Sequence, residues 1–156
     1  MKLSKELLNR LISITSNSAI ACYPFIGKNE KILADKAATD SMRYELNKLD
    51  IKGKVVIGEG EMDEAPMLFI GEKLGSGNGP EIDIAVDPLE GTNFVAKNLP
   101  GAMTVLAISE KGNLFNAPET YMEKIASGSH IPKNTLDLDY SLEKNIKNYS
   151  EATNKK

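Results

Sequence analysis

From Ser4 onward, Leu7, Leu8, Leu11 and Ile12 recur three and four residues apart, which predicts an amphipathic helix running to about Ala21 with Ser4 as its cap. Gly27 to Lys31 is a polar turn, and beyond it Ala34, Ala37, Ala38, Met42 and Leu46 mark one face of a second helix ending near Leu49. Lys52-Gly53 breaks that period. Val55-Val56-Ile57, β-branched and bounded by glycines, predicts a short buried strand. Pro66 to Ile70 reads as loop and short strand, and Gly71 to Pro80, with four glycines, as a mobile connection. Glu81 to Asp87 alternates with Ile82, Ile84 and Val86 on one face, the clearest strand pattern in the chain. Met103 to Ile108 is a further apolar run, and the turn at Glu110 to Asn113 predicts a hairpin with Leu114-Phe115-Asn116. Short helices are predicted over Glu119 to Ala126 and over Ser141 to Tyr149, the latter with Leu142, Ile146 and Tyr149 on one side. Helices come first and strands follow, with no repeat or linker. The expected architecture is a layered α/β fold, helices packed on a mixed sheet, in one domain over residues 1–152 with a frayed tail over 153–156.

Composition narrows the function class. At 156 residues, 41% hydrophobic and 26% charged, the chain has the make-up of an ordinary globular domain able to bury a core. No apolar run approaches the roughly 20 residues of a membrane span. The first residues lead directly into a helical pattern rather than a signal peptide, so the expectation is a cytoplasmic protein without a membrane partner. A net charge of −3, with basic residues scattered, argues against nucleic acid as a partner. The single cysteine, Cys22, excludes an internal disulfide and a thiolate zinc site, and is expected as a small core residue. The single histidine, His130, falls in a Ser-Gly-Ser-His-Ile-Pro loop with no nucleophile elbow, so a Ser-His-Asp mechanism has nothing to run on.

Two acidic runs carry the chemistry. Glu59, Glu61, Asp63 and Glu64 follow the Val55 to Ile57 strand, and Asp87-Pro88-Leu89-Glu90-Gly91-Thr92 closes the strand from Glu81. Crowded carboxylates raise one another's pKa and repel unless a cation sits among them. Pro88 has no N–H for the ladder, so the chain is expected to leave the sheet at Asp87. Gly91-Thr92 leads into an expected helical turn over Asn93 to Asn98, whose free N–H groups could face an anion. Oxygen donors without His or Cys suit Mg²⁺ or Mn²⁺. A hard cation beside an anion site is the minimum equipment for metal-assisted phosphate-ester hydrolysis. The other reading keeps these acids as solvated loop charges, the usual state of an Asp or Glu. Glycines on both sides of Glu59 favour the site, because they let backbone approach closely.

The Asp87 to Thr92 segment resembles the Asp-Pro-x-Asp/Glu-Gly-Thr/Ser signature of the lithium-sensitive, metal-dependent sugar phosphatases. Val55 to Met67, Gly71-Glu72-Lys73 and Asn116 to Lys124 resemble class II fructose-1,6-bisphosphatase, and the likeness runs from the first helix to about Ala152. That resemblance implies a sugar-phosphatase-like α/β fold and hydrolysis of the 1-phosphate of fructose 1,6-bisphosphate, with two Mn²⁺ or Mg²⁺ ions activating water. It implies Asp35 and Glu59 as ligands of one metal and Asp87 and Glu90 as ligands of the other. Glu90, Gly91, Thr92 and Tyr121 would contact substrate, Thr92 would help place the attacking water, and Asp63 and Lys31 would line the site. Read without the resemblance, Asp35 is an ordinary helix-start acid, Tyr121 a half-buried packing residue and Lys31 a solvated turn lysine.

Members of that family continue into a second half, expected to be missing here, that carries a further metal carboxylate and most of the sugar contacts. The resemblance therefore leaves three readings: an active sugar bisphosphatase, through homo-oligomerisation or pairing with a separate second half; an inactive remnant; or a noncatalytic partner that binds metal or phosphate.

Overall fold

The structure, a computed structural model, describes residues 5–60, 67–115 and 122–154. It contains two compact units, Met1–Ala117 and Pro118–Lys156. The larger unit opens with α1 (Lys5–Cys22), a 3₁₀ turn (Tyr23–Phe25) and α2 (Lys31–Leu46), followed by β1 (Lys52–Ile57), β2 (Lys73–Leu74), β3 (Glu81–Glu90), the short α3 (Thr92–Ala96) and β4 (Met103–Glu110).

The strands form one mixed sheet in the order β2-β1-β3-β4. β1 lies parallel to β3, with Lys52 beside Glu81 and Val55 beside Ile84. β2 runs antiparallel to β1, and β4 antiparallel to β3 with Ile84 opposite Ile108. The α/β architecture of helices on a mixed sheet is therefore present, and the connection expected between Gly71 and Pro80 contains β2.

One sheet face carries Val55, Ile82, Ile84 and Val86 into a core shared with Ile14 of α1 and Met42 and Leu46 of α2. This is the face the alternation of β3 predicts. The face of α1 that enters the core differs from the expected one. Leu7 and Leu11 pack against the core, but Leu8 and Ile12 are 44% and 64% exposed, and the buried line continues through Ile14, Ser18 and Cys22. The reason is close packing of the helix pair. Ala34 and Ala38 offer no bulk on α2, so α1 turns its small residues toward them, and the Ser18 hydroxyl donates to the Ala38 carbonyl at 2.8 Å. A buried hydroxyl with a partner is tolerated where an unpaired one would cost about 1–3 kcal/mol.

Pro88 does not end β3. The register against β4 shifts between Asp87 and Glu90, so that Asp87 faces Val105 and Glu90 faces Met103. Three steps on one strand oppose two on the other, a bulge that absorbs the missing N–H and lets pairing resume. Leu114-Phe115 forms no strand, and Asn116 lies outside the described residues, so the expected hairpin is replaced by the β3–β4 pair. In the smaller unit, Met122 to Ala126 is irregular rather than helical, while α4 (Leu142–Thr153) forms with Ser141 as its N-cap, accepting from the Lys144 amide. His130 sits in an exposed turn. Among the described residues, no helix is long and apolar enough to cross a membrane.

Candidate metal and phosphate site

The parallel run of β1 and β3 brings Glu59 and Asp87 to the same end of the sheet, because one follows β1 and the other lies near the end of β3, which points the same way; Glu61, Asp63 and Glu64 lie outside the described residues. Gly58 makes the first turn possible. A Cβ there would come within 2.2 Å of the Leu68 carbonyl oxygen, and the Glu59 amide donates to that same oxygen at 3.1 Å. Backbone thus approaches closely at Gly58, the glycine before Glu59. At the second turn Gly91 takes φ +84°, a left-handed conformation that costs other residues more, and leads into α3. That helix is only Thr92–Ala96, shorter than the turn expected to Asn98, and too short to build a substantial dipole.

Asp87, on the bulge, is the centre of the cluster. Burial pushes its carboxyl up to about 6, a hydrogen bond with Glu90 and the Glu90 charge add to the rise, and a hydrogen bond with Glu59 opposes it. Three of the expected ligands thus share one neighbourhood. Its Oδ1 is buried and meets no hydrogen-bond partner among the described residues. Asp35, in the first turns of α2, also has a buried Oδ1 without a described partner, and burial raises its pKa. Its charge reaches Cys22, whose buried thiol is pushed up to about 11, chiefly by burial and secondarily by Asp35.

The remaining expected residues divide. Thr92 and Gly91 are partly buried at the start of α3, Glu90 is exposed, and Lys31 is an exposed residue at the start of α2. Asp63 and Tyr121 lie outside the described residues. Thr39 was not anticipated: it is fully buried one turn beyond Asp35, and its hydroxyl has no described partner. The signal was the four-residue spacing from Asp35, which puts both on one side of the helix.

These donors fit a hard cation. A buried carboxylate oxygen with no donor nearby is expensive, and carboxylates hydrogen-bonded to each other need a shared proton or a cation. At Asp87 the Oδ1 meets the first condition and the pairing with Glu90 and Glu59 the second, although the Leu89 amide also donates to the carboxyl. The fit is partial, since no group of three or more His, Cys, Asp or Glu side chains is arranged to hold a metal among the described residues. A cavity of about 620 Å³ lies elsewhere, against Lys52, Lys54, Lys73, Asp83 and Lys111 at the opposite ends of β1 and β3. It touches none of the expected ligands.

Residues 5–156 match the family model described as bacterial fructose-1,6-bisphosphatase, glpX-encoded. The chain is 47% identical over 150 residues to D-fructose 1,6-bisphosphatase class 2/sedoheptulose 1,7-bisphosphatase of Prochlorococcus marinus strain MIT 9301, covering 96% of this chain and 45% of that one. It is 46% identical over 151 residues to fructose-1,6-bisphosphatase 1 class 2 of Escherichia coli K12, covering 97% and 45%. The chain thus spans about 45% of the length of these curated relatives. A solved structure, the extragenic suppressor from Pyrococcus furiosus, aligns with 69% of this chain and 41% of its own at a TM-score of 0.46 and 20% identity.

Proposed function

The chain belongs to the bacterial, glpX-encoded fructose-1,6-bisphosphatase family, and from that premise we propose that it forms the metal-binding part of a cytoplasmic phosphatase that hydrolyses the 1-phosphate of fructose 1,6-bisphosphate to fructose 6-phosphate. The observation that carries this reading is the position of Asp87. It stands on a strand-end bulge with one buried oxygen unpartnered, hydrogen-bonded through its carboxyl to Glu90 and Glu59.

On this reading Asp35 and Glu59 hold one Mn²⁺ or Mg²⁺ and Asp87 and Glu90 the other. When bound, such ions supply Lewis-acid charge that stabilises the attacking and leaving oxygens of a phosphate ester. The chain's own groups do the positioning. Glu90 and Asp87 are held at fixed separation because the bulge pins both to β4, through Met103 and Val105. Gly91 turns the backbone so that Thr92 opens α3 directly after Glu90, the place where this reading has a phosphate oxygen and a water oriented. Tyr121 keeps the substrate contact, and Lys31 and the catalytic candidate Asp63 the site-lining positions, that the resemblance implies. The buried Oδ1 of Asp87 lies out of reach of solvent, which strengthens its electrostatics.

A second reading, a noncatalytic metal- or phosphate-binding partner of a longer relative, is favoured by the donor set, which does not close among the described residues. Phosphate release from fructose 1,6-bisphosphate and from sedoheptulose 1,7-bisphosphate, with Mn²⁺ or Mg²⁺, separates the two. Metal-dependent release that Asp87→Ala abolishes supports the phosphatase. A melting temperature raised by Mn²⁺ with no release at any metal concentration supports the partner.

A further inference from the structure

Glu59 is held in place by the segment that returns to the sheet after it. Its amide donates to the Leu68 carbonyl, and the same segment is tied to β1 by Gly71 N–H to the Val55 carbonyl at 2.8 Å and Val55 N–H to the Glu72 carbonyl at 2.9 Å. Something must hold that segment against α2. Arg43 does so from the last turn of the helix: its Nε lies 2.7 Å from Glu72 Oε1 and its Nη2 3.2 Å from Glu72 Oε2, a two-point fork, and Nη2 also donates to the Met67 carbonyl. The grip therefore falls on both sides of Leu68, which is itself fully buried. The pair is shielded, with 29% of the Arg43 side chain and 12% of the Glu72 side chain accessible, so it is not one of the exposed ion pairs that contribute little. Arg43 also stands eight residues beyond Asp35 and four beyond Thr39, on the side of α2 that bears both unpartnered oxygens.

We propose that Arg43 is a positioning residue for the metal site: by clamping Met67 and Glu72 it sets the Leu68 carbonyl that holds Glu59, and so registers the Glu59 carboxylate against Asp87 and against the helix that carries Asp35. This rests on the metal-site reading for its consequence, but the clamp itself is independent of any metal. A guanidinium is required because only a planar fork can meet two carboxylate oxygens and a carbonyl together, and a lysine could satisfy one of them at a time.

The test is made on the whole chain, with amide hydrogen exchange at Glu59 and Mn²⁺ affinity measured side by side. Arg43→Gln is expected to speed Glu59 exchange by about tenfold or more while the Ile84 amide in the core keeps its protection, and to weaken Mn²⁺ binding by about tenfold, the usual effect of removing a group that orients a ligand. Arg43→Lys should fall between, nearer to Gln. Unchanged Glu59 exchange in a folded Arg43→Gln chain overturns the proposal. So does faster exchange at Glu59 and in the core alike, which would mark a general loss of stability. If Arg43→Gln does not fold, Glu72→Gln, which leaves the Met67 contact, must show the same selective acceleration, and its absence overturns the proposal equally. A wild-type chain that binds no Mn²⁺ refutes the metal-site reading alone, and Glu59 exchange still decides the role of Arg43.

Discussion

Asp87 concentrates the site's electrostatics in one residue. Because its folded pKa is raised above the usual 3.8 to about 6, the protonated form is favoured by folding. The resulting stability is fully present below about pH 4 and is lost as pH rises through about 6. In chelator, the melting temperature of the chain should therefore fall between pH 4.5 and 7.5, and Asp87→Asn, which cannot ionise, should flatten that fall; an equally steep fall in the variant would place its cause elsewhere. Mn²⁺ should reverse the trend, since a cation binds the ionised carboxylate. Cys22 offers a second check. At 3% exposure and with its thiol raised to about 11, it should resist alkylation at pH 8 in the folded chain and react fully in denaturant. Cys22 was legible from composition alone, because a lone cysteine in a helical pattern is usually core. Asp35 was not: an acid near a helix start is unremarkable, and its buried oxygen depends on what packs against α2 there.

The turns and bends of the chain were read less well than its strands. The alternation of Ile82, Ile84 and Val86 named the buried face of β3 correctly, because a two-residue period leaves no other choice once one face meets helices. Pro88 misled, since the rule that proline leaves the ladder has an exception at bulges, and a bulge depends on the partner strand. On α1 the apolar stripe was wide enough to serve either of two faces. The small residues of α2 chose between them, and that information is 20 residues away. Gly58 is the sharpest element-scale test. Gly58→Ala puts a methyl within 2.2 Å of the Leu68 carbonyl, so the turn must open; a loss of about 2–4 kcal/mol in denaturant unfolding is expected, at the upper end of strained substitutions. In α4, the Ser141 hydroxyl accepts from the Lys144 amide at 3.2 Å, and Ser141→Ala should cost about 1 kcal/mol, read as faster amide exchange confined to α4. The face predicted for that helix is otherwise exposed, with Leu142 at 75% and Ile146 at 59%.

For the molecule as a whole, one sheet face is filled by α1 and α2, and the other carries Lys52, Lys54, Asp83 and Ala107. Glu59, Asp87 and Glu90 lie at the strand ends, where two separated segments meet. If Mn²⁺ binds there and not to the unfolded chain, ion at about 100 times its dissociation constant should add about 2.7 kcal/mol of stability. A melt with no Mn²⁺ shift, or a shift that survives Asp87→Ala, would remove the metal from this end of the sheet. Local order along the chain settled α1, α2, β1, β3, β4 and α4, which face of β3 is buried, and that Asp87, Glu90 and Glu59 belong to strand ends, because hydrophobic period and backbone chemistry act over a few residues. The helix face that enters the core, the bulge at Pro88, and the grip of Arg43 on Glu72 and Met67 were decided by packing between segments distant in sequence. Such contacts depend on which surfaces meet and how closely, and no short-range pattern carries that information.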